Sequence, residues 1–156
     1  MTGSPESLTI RIADANDTEA MRTLLNEIIR VGGTTAITNE LSPDEMREWF
    51  ISGDKVVSCF VAVDADGAII GFQSLSTYDR LPDGWLDIAT FASRSCHKSG
   101  IGSALFARTR EFASQRDAIA INATIRVKNV GGLAYYSEVG CASKCAPFFA
   151  RATIFV

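Results

Sequence analysis

The chain has 156 residues, 47% of them hydrophobic and 21% charged, and 15 Lys plus Arg against 18 Asp plus Glu leave a net charge of −3. That length suits one domain spanning 1–156 with its own core, and the composition excludes a disordered chain. The acidic balance argues against a nucleic-acid partner, and no apolar run nears the roughly 18–20 residues that span a bilayer.

Leu8 to Ala13 alternates apolar and polar residues, as a first strand does. Asn16 followed by Glu19 reads as a capping box, and Met21, Leu24, Leu25, Ile28 and Ile29 form the apolar stripe of the helix behind it. Gly32-Gly33 ends that helix. Ser42-Pro-Asp-Glu45 starts a second one, through Met46, Trp49 and Phe50 to Gly53. Val56 to Val63 and Ala68 to Ser76 are strands joined across Asp64-Ala-Asp-Gly67, which has hairpin composition. A turn at Leu81-Pro-Asp-Gly84 leads into a strand from Trp85 to Ala92. Helix follows from Gly100 to Ser114, with Ile101, Leu105 and Phe112 on one face, then strand from Ile119 to Ile125. A short helix over Gly131 to Val139 and a closing strand over Ala150 to Val156 complete the pattern. Early hairpins and a later strand–helix–strand crossover imply an α/β (α+β) fold with a mixed sheet.

Cys59, Cys96, Cys141 and Cys145 include no Cys-x-x-Cys pair, and His97 is the only histidine, so no metal site is expected. Residues 1–7 lack the basic start and apolar core of a secretory leader. A cytoplasmic protein with reduced thiols is the expectation. The closing apolar residues Phe148, Phe149, Ile154, Phe155 and Val156 could enter a homodimer interface as readily as a core.

The stretch between Ala89 and Leu105 carries the chemistry. It passes from a strand through a loop holding Gly100 and Gly102 into a helix. A helix start exposes unpaired N–H groups and partial positive charge, and glycine lets a phosphate oxygen approach them. Arg94 and Lys98 add positive charge nearby. The dinucleotide fingerprint is incomplete because residue 105 is Leu, and no P-loop sequence is present.

His97-Lys98-Ser99-Gly100-Ile101-Gly102 resembles the central motif of the GNAT acetyltransferases, in which Gln or Arg precedes two residues, Gly, any residue, then Gly or Ala. Asn129, Tyr136 and Gly140 match the family's later Asn, Tyr and Gly spacing, and the element order agrees over nearly the whole chain. Within the family the branch it resembles is that of the phosphinothricin and methionine sulfone acetyltransferases. The resemblance implies a mixed, mostly antiparallel sheet of six to seven strands flanked by about four helices. It also implies acetyl-CoA as cosubstrate and a direct attack by the primary amine of a small, amino-acid-like acceptor. His97 stands where Gln or Arg is usual, Arg94 where Pro is common, and Cys141 where an aromatic often follows the glycine. An unperturbed imidazole titrates near about 6.5, so His97 could make cofactor affinity pH-dependent.

The same resemblance places the cofactor against Phe91, Ala92, His97, Lys98, Ser99, Gly100, Ile101, Gly102 and Ser103, with backbone near Phe91 and Ala92 facing the thioester carbonyl. Asn129 is read either as a cofactor contact or as a helix cap. Tyr136 corresponds to the residue facing the departing thiolate. A phenol near about 10 and a thiol near about 8.5 make full proton transfer uphill by roughly 2 kcal/mol, so a hydrogen-bond donor is the expected role; a packed aromatic is the alternative. Tyr135, a turn fraction away, would pack or cap the substrate region.

Asp87 sits on the strand entering the loop, with Ala89 and Phe91 on its face, and is a candidate base or an ion-paired aspartate. The branch has glutamate there, so the shorter Asp would act through water. Asn122, Thr124 and Arg126 alternate on the next strand and could line the same cleft. Thr34 lies in the segment expected over the acceptor. Arg30 could pair with an acceptor carboxylate or simply end its helix in solvent. A non-catalytic acetyl-CoA sensor, or a nucleotide module using the same anion cradle, are the competing readings.

Overall fold

The computed structural model describes residues 7–94, 100–126, 128–139, 141–144 and 149–156. Its first strand, β1 (Thr9–Ile12), is followed by a 3-10 turn over Ala15–Asp17 and then by helix α1 (Thr18–Val31). The capping box lies earlier than Asn16 and Glu19 suggest. Asp14 is extended and accepts from the Asn16 amide, while the Asp17 carboxylate returns to the Asp14 amide. Asp17 also receives two 2.8 Å bonds from Arg11, and that partner holds its carboxyl below the usual range. The expected stripe is buried in full, and Gly32 ends the helix at a φ of 76°, with its N–H on the Ile28 carbonyl.

Helix α2 (Pro43–Phe50) carries the Ser42–Glu45 capping box foreseen for it. It stops at Phe50 rather than Gly53, and Trp49 faces outward instead of into the core. Asn26, buried on α1, fixes the segment between the two helices. Its amide donates to the Leu41 carbonyl at 3.1 Å and accepts the Leu41 N–H at 2.8 Å. Replacing Asn26 with Ala leaves the buried Leu41 N–H unpaired and its carbonyl with only the 3.5 Å bond from Arg22, so the expected cost is about 1–3 kcal/mol of unfolding free energy. Chemical denaturation measures it; a loss within noise would mean that the segment repairs itself.

Strands β2 (Val56–Val63) and β3 (Ile69–Ser76) form the hairpin closed at Gly67, and β4 (Trp85–Ala92) pairs antiparallel with β3. Helix α3 (Ile101–Gln115) crosses to β5 (Ala120–Arg126), which lies parallel to β4. Helix α4 (Val130–Val139) precedes β6 (Cys141–Lys144) and β7 (Phe149–Phe155). The seven strands stand in the order β1-β2-β3-β4-β5-β7-β6, mixed and mostly antiparallel. β6 was not foreseen. Its four residues carry no period long enough to signal a strand, and only its pairing with β7 makes it one.

The strands' alternation sends one set of side chains to each face. Cys59, Val61, Phe72 and Phe91 pack with α1 and α2. Phe60, Ala62 and Ile70 pack with Ile101 and Leu105 of α3, and Leu86, Ile88, Ile121 and Ile125 with Phe106 of α3 and Tyr136 of α4. The site arises where the sheet divides. β4 and β5 pair only from Trp85↔Ala120 to Asp87↔Asn122, although β4 runs on to Ala92 and β5 to Arg126. β3 holds the free arm of β4 as far as Ala92, and β7 holds that of β5 as far as Arg126. Each arm stays rigid on its outer side and open on its inner one.

Candidate active site

A cavity of about 420 Å³ occupies the opening between the two arms. Both parities of β4 line it: Asp87, Ala89 and Phe91 from one face, Ile88, Thr90 and Ala92 from the other. A paired strand could not show both, so the cavity passes through the sheet. Thr34 to Ile37 roof it on the side of α1 and α2, while Tyr136 of α4 closes the other. Arg126 ties the roof down by donating to the Thr35 carbonyl at 3.1 Å, and Asn129 by donating to the Thr34 carbonyl at 3.2 Å.

Asp87 supplies the carboxylate of the wall, among the described residues. Asn122, itself buried, donates to it at 2.9 Å and to Thr124 at 3.3 Å, so three polar residues expected in one cleft do share a face. Burial raises the Asp87 pKa, and the Asn122 bond and the charge of Arg151 pull it back only in part. The result is a carboxylate more basic than a solvated one. Thr124 reaches the cavity lining; Asn122 acts behind Asp87.

Tyr136 is 7% exposed, and its hydroxyl lies 2.6 Å from the Thr90 hydroxyl. Burial raises its pKa above the ordinary phenol value, more than Thr90 can offset. It therefore keeps its proton across the neutral range and can donate a hydrogen bond, whereas proton release is disfavoured. Tyr135 has a separate task. Its ring stacks edge-on against Tyr136, and its hydroxyl donates to the Gly102 carbonyl at 2.8 Å while receiving a bond from Gln73. A β-carbon on Gly102 would lie 2.9 Å from that ring. Glycine at 102 is thus required by Tyr135 as well as by any anion at the helix start.

Gly100 caps α3 with a φ of 108°, a left-handed conformation suited to glycine, and among the described residues no side chain caps the first turn behind it. Ile101 is buried in the core and Ser103 exposed, so only backbone from Ile101 could meet a ligand. Phe91 packs between Phe50 and Phe72, which confines it too to a backbone role. His97, Lys98 and Ser99 lie outside the described residues, as does Gly140. Asn129 settles as a helix cap: its Oδ1 accepts the Gly132 N–H at 2.9 Å, at the third position of α4.

Arg30 is not brought to the cavity. It pairs with Glu40 at 2.9 Å on the surface, both side chains more than half exposed, because the helix end turns it outward. Arg94 and Arg126 line the cavity instead. Sequence reasoning also passed over Gln73 and Thr90. Gln73 was detectable as a lone amide inside an apolar strand, but its partner follows only from the register that sets Gln73 opposite Thr90. Among the described residues no cluster of His, Cys, Asp or Glu could hold a metal, and no helix is long and apolar enough to cross a membrane.

The cavity thus lies in a mixed sheet split at its centre, between strands that part after Asp87. The chain belongs to the acetyltransferase (GNAT) family, whose model matches residues 19–141. It is 25% identical over 137 residues to YwnH of Bacillus subtilis (strain 168), a protein assigned as a phosphinothricin acetyltransferase, covering 86% of this chain and 84% of YwnH. A GCN5-related N-acetyltransferase from Kribbella flavida superposes with a TM-score of 0.83 at 21% identity, over 98% of this chain and all of the other. A phosphinothricin acetyltransferase from Sinorhizobium meliloti, solved with acetyl-CoA, gives 0.79 at 19%, over 95% and 89%. The fold expected from the sequence is the fold observed.

Proposed function

We propose that the protein transfers the acetyl group of acetyl-CoA to the primary amine of a small, amino-acid-like acceptor, by direct attack when both are bound. The observation that carries this reading is the passage through the sheet between β4 and β5, walled by Asp87 and Tyr136. A pantetheine arm fits such a gap because it can hydrogen-bond to an open strand edge, and a pyrophosphate fits the free amides of a long helix. The loop 97–103 is the proposed pyrophosphate site, with the backbone at Phe91 and Ala92 facing the carbonyl. Bound acetyl-CoA supplies an activated thioester.

Asp87, made more basic by burial, takes the amine proton directly or through one water. Tyr136 donates to the sulfur as negative charge develops there. Arg126, whose guanidinium spends one bond on the roof among the described residues, faces an acceptor carboxylate in place of Arg30. Thr34 and Thr124 add polar contacts along the same wall. The names of the relatives above make phosphinothricin the first acceptor to try, and the resemblance of the sequence adds methionine sulfone. A cytoplasmic setting belongs to this reading, and the buried free thiol of Cys59, pushed up to about 12 by its apolar surroundings, suits a reducing compartment.

The test is thiol release from acetyl-CoA across a panel of amino acids, their sulfone and phosphinate analogues, polyamines and peptides. Turnover with an amino-acid-like member is expected. Binding of acetyl-CoA without thiol release from any amine would favour a sensor over an enzyme.

A further inference from the structure

The hydroxyl of Tyr136 can serve a sulfur only if its proton points into the cavity rather than at Thr90, and the surrounding hydrogen bonds provide an arrangement in which it does. A carbonyl only accepts, so the Tyr135 hydroxyl gives its one proton to Gly102. The bond between Tyr135 and Gln73, at 3.2 Å, must then come from Gln73 Nε2. That sets the amide of Gln73: its other N–H donates to Thr90 Oγ1 at 2.9 Å. Thr90 now accepts from Gln73 and still holds one proton. Among the described residues its remaining partner is Tyr136, at 2.6 Å. Either hydroxyl can be the donor in that contact: with Tyr136 donating, the Thr90 proton is left for the cavity, which Thr90 also lines. With Thr90 donating, the bonds run from Gln73 to Thr90 to Tyr136 and leave the phenol proton free for the cavity that Tyr136 lines.

Gln73 shows that the chain of bonds is maintained at a cost. It is fully buried, yet its Oε1 finds no partner among the described residues. An apolar residue of similar shape would avoid that penalty, so the amide is held in the core by what its N–H groups do.

We propose that Thr90 and Gln73 are positioning residues that aim the Tyr136 hydroxyl proton at the cosubstrate sulfur, with Tyr135 fixing the orientation of the Gln73 amide. The proposal rests on the donor role given to Tyr136 above. Thr90→Val keeps the shape and removes the hydroxyl. It is expected to lower kcat about tenfold while the KM for acetyl-CoA stays within about twofold, since orientation and not ground-state binding is lost. Thr90→Ser should restore kcat. In a Tyr136→Phe background, Thr90→Val should add nothing. A readout apart from turnover is the ionisation of bound CoA, followed by the ultraviolet band of its thiolate. A donor aimed at sulfur lowers that pKa below the free value, and Thr90→Val should move it back. Should Gln73→Leu fold poorly, the Thr90 variants carry the test alone.

Wild-type kcat and an unshifted bound thiol in Thr90→Val would overturn the proposal, as would equal losses in the presence and absence of the Tyr136 hydroxyl. Full turnover by Tyr136→Phe alone would instead remove the donor role itself, so the two failures are told apart.

Discussion

Tyr136→Phe is expected to reduce kcat by about 10²–10³-fold, since a positioned proton donor contributes on that order. The KM for acetyl-CoA should change little. Phenylalanine fills the same volume beside Tyr135, and the bond lost to Thr90 costs about 1 kcal/mol of stability, so the variant should fold. Because burial holds the phenol pKa above its usual value, the wild-type profile should show no alkaline decline from this residue. Steady-state thiol release against pH checks both statements. Turnover within twofold of wild type would return Tyr136 to the status of a packed aromatic.

Asp87→Asn is expected to cost about 10²-fold in kcat/KM at neutral pH, the range for a general base. Wild-type activity should rise with pH as Asp87 loses its proton, above the ordinary carboxylate range because burial raises its pKa. That limb should vanish in the variant. Stability moves the other way. Asp87 binds its proton more tightly folded than unfolded, so ionising it weakens the native state as pH climbs from the unfolded value through the folded one. The Asn variant has no such loss and should be more stable than wild type at neutral pH by thermal unfolding. Asn122 would face an amide in place of the carboxylate, and an amide oxygen can still accept its bond. A variant both active and no more stable would identify Asp87 as a solvated bystander.

The two residues sit on opposite walls of one passage, and one physical effect underlies both of the roles proposed for them. Both lose water, which raises both pKa values. For a carboxylate that means greater basicity near neutrality; for a phenol it means proton retention. In the proposed scheme one cavity thus furnishes an acceptor and a donor of protons.

Local signals in the chain went a long way. The stripe on α1, the Ser42–Glu45 box, the hairpin at Gly67 and the bounds of β4 followed from period and cap chemistry, which act over a few residues. The ordered motifs around Gly100, Gly102, Asn129 and Tyr136 brought the family with them, and the family model bears that out. Misjudgements arose where a distant partner outweighed local pattern. β7 makes a strand of Cys141–Lys144, and Glu40 pairs with Arg30 on the surface, away from the cavity.

The sequence by itself determined the class of fold, most of its elements, and the pair of residues on which the proposed chemistry turns. Only the tertiary structure decided that β4 and β5 part after Asp87, that Gly102 must yield to Tyr135, and that Gln73 and Thr90 stand behind Tyr136. The reason is physical. Caps and periods are written within a turn or two of chain, whereas a split between strands and the direction of a hydroxyl proton depend on register, which couples residues such as Gln73 and Tyr135 that lie far apart in sequence.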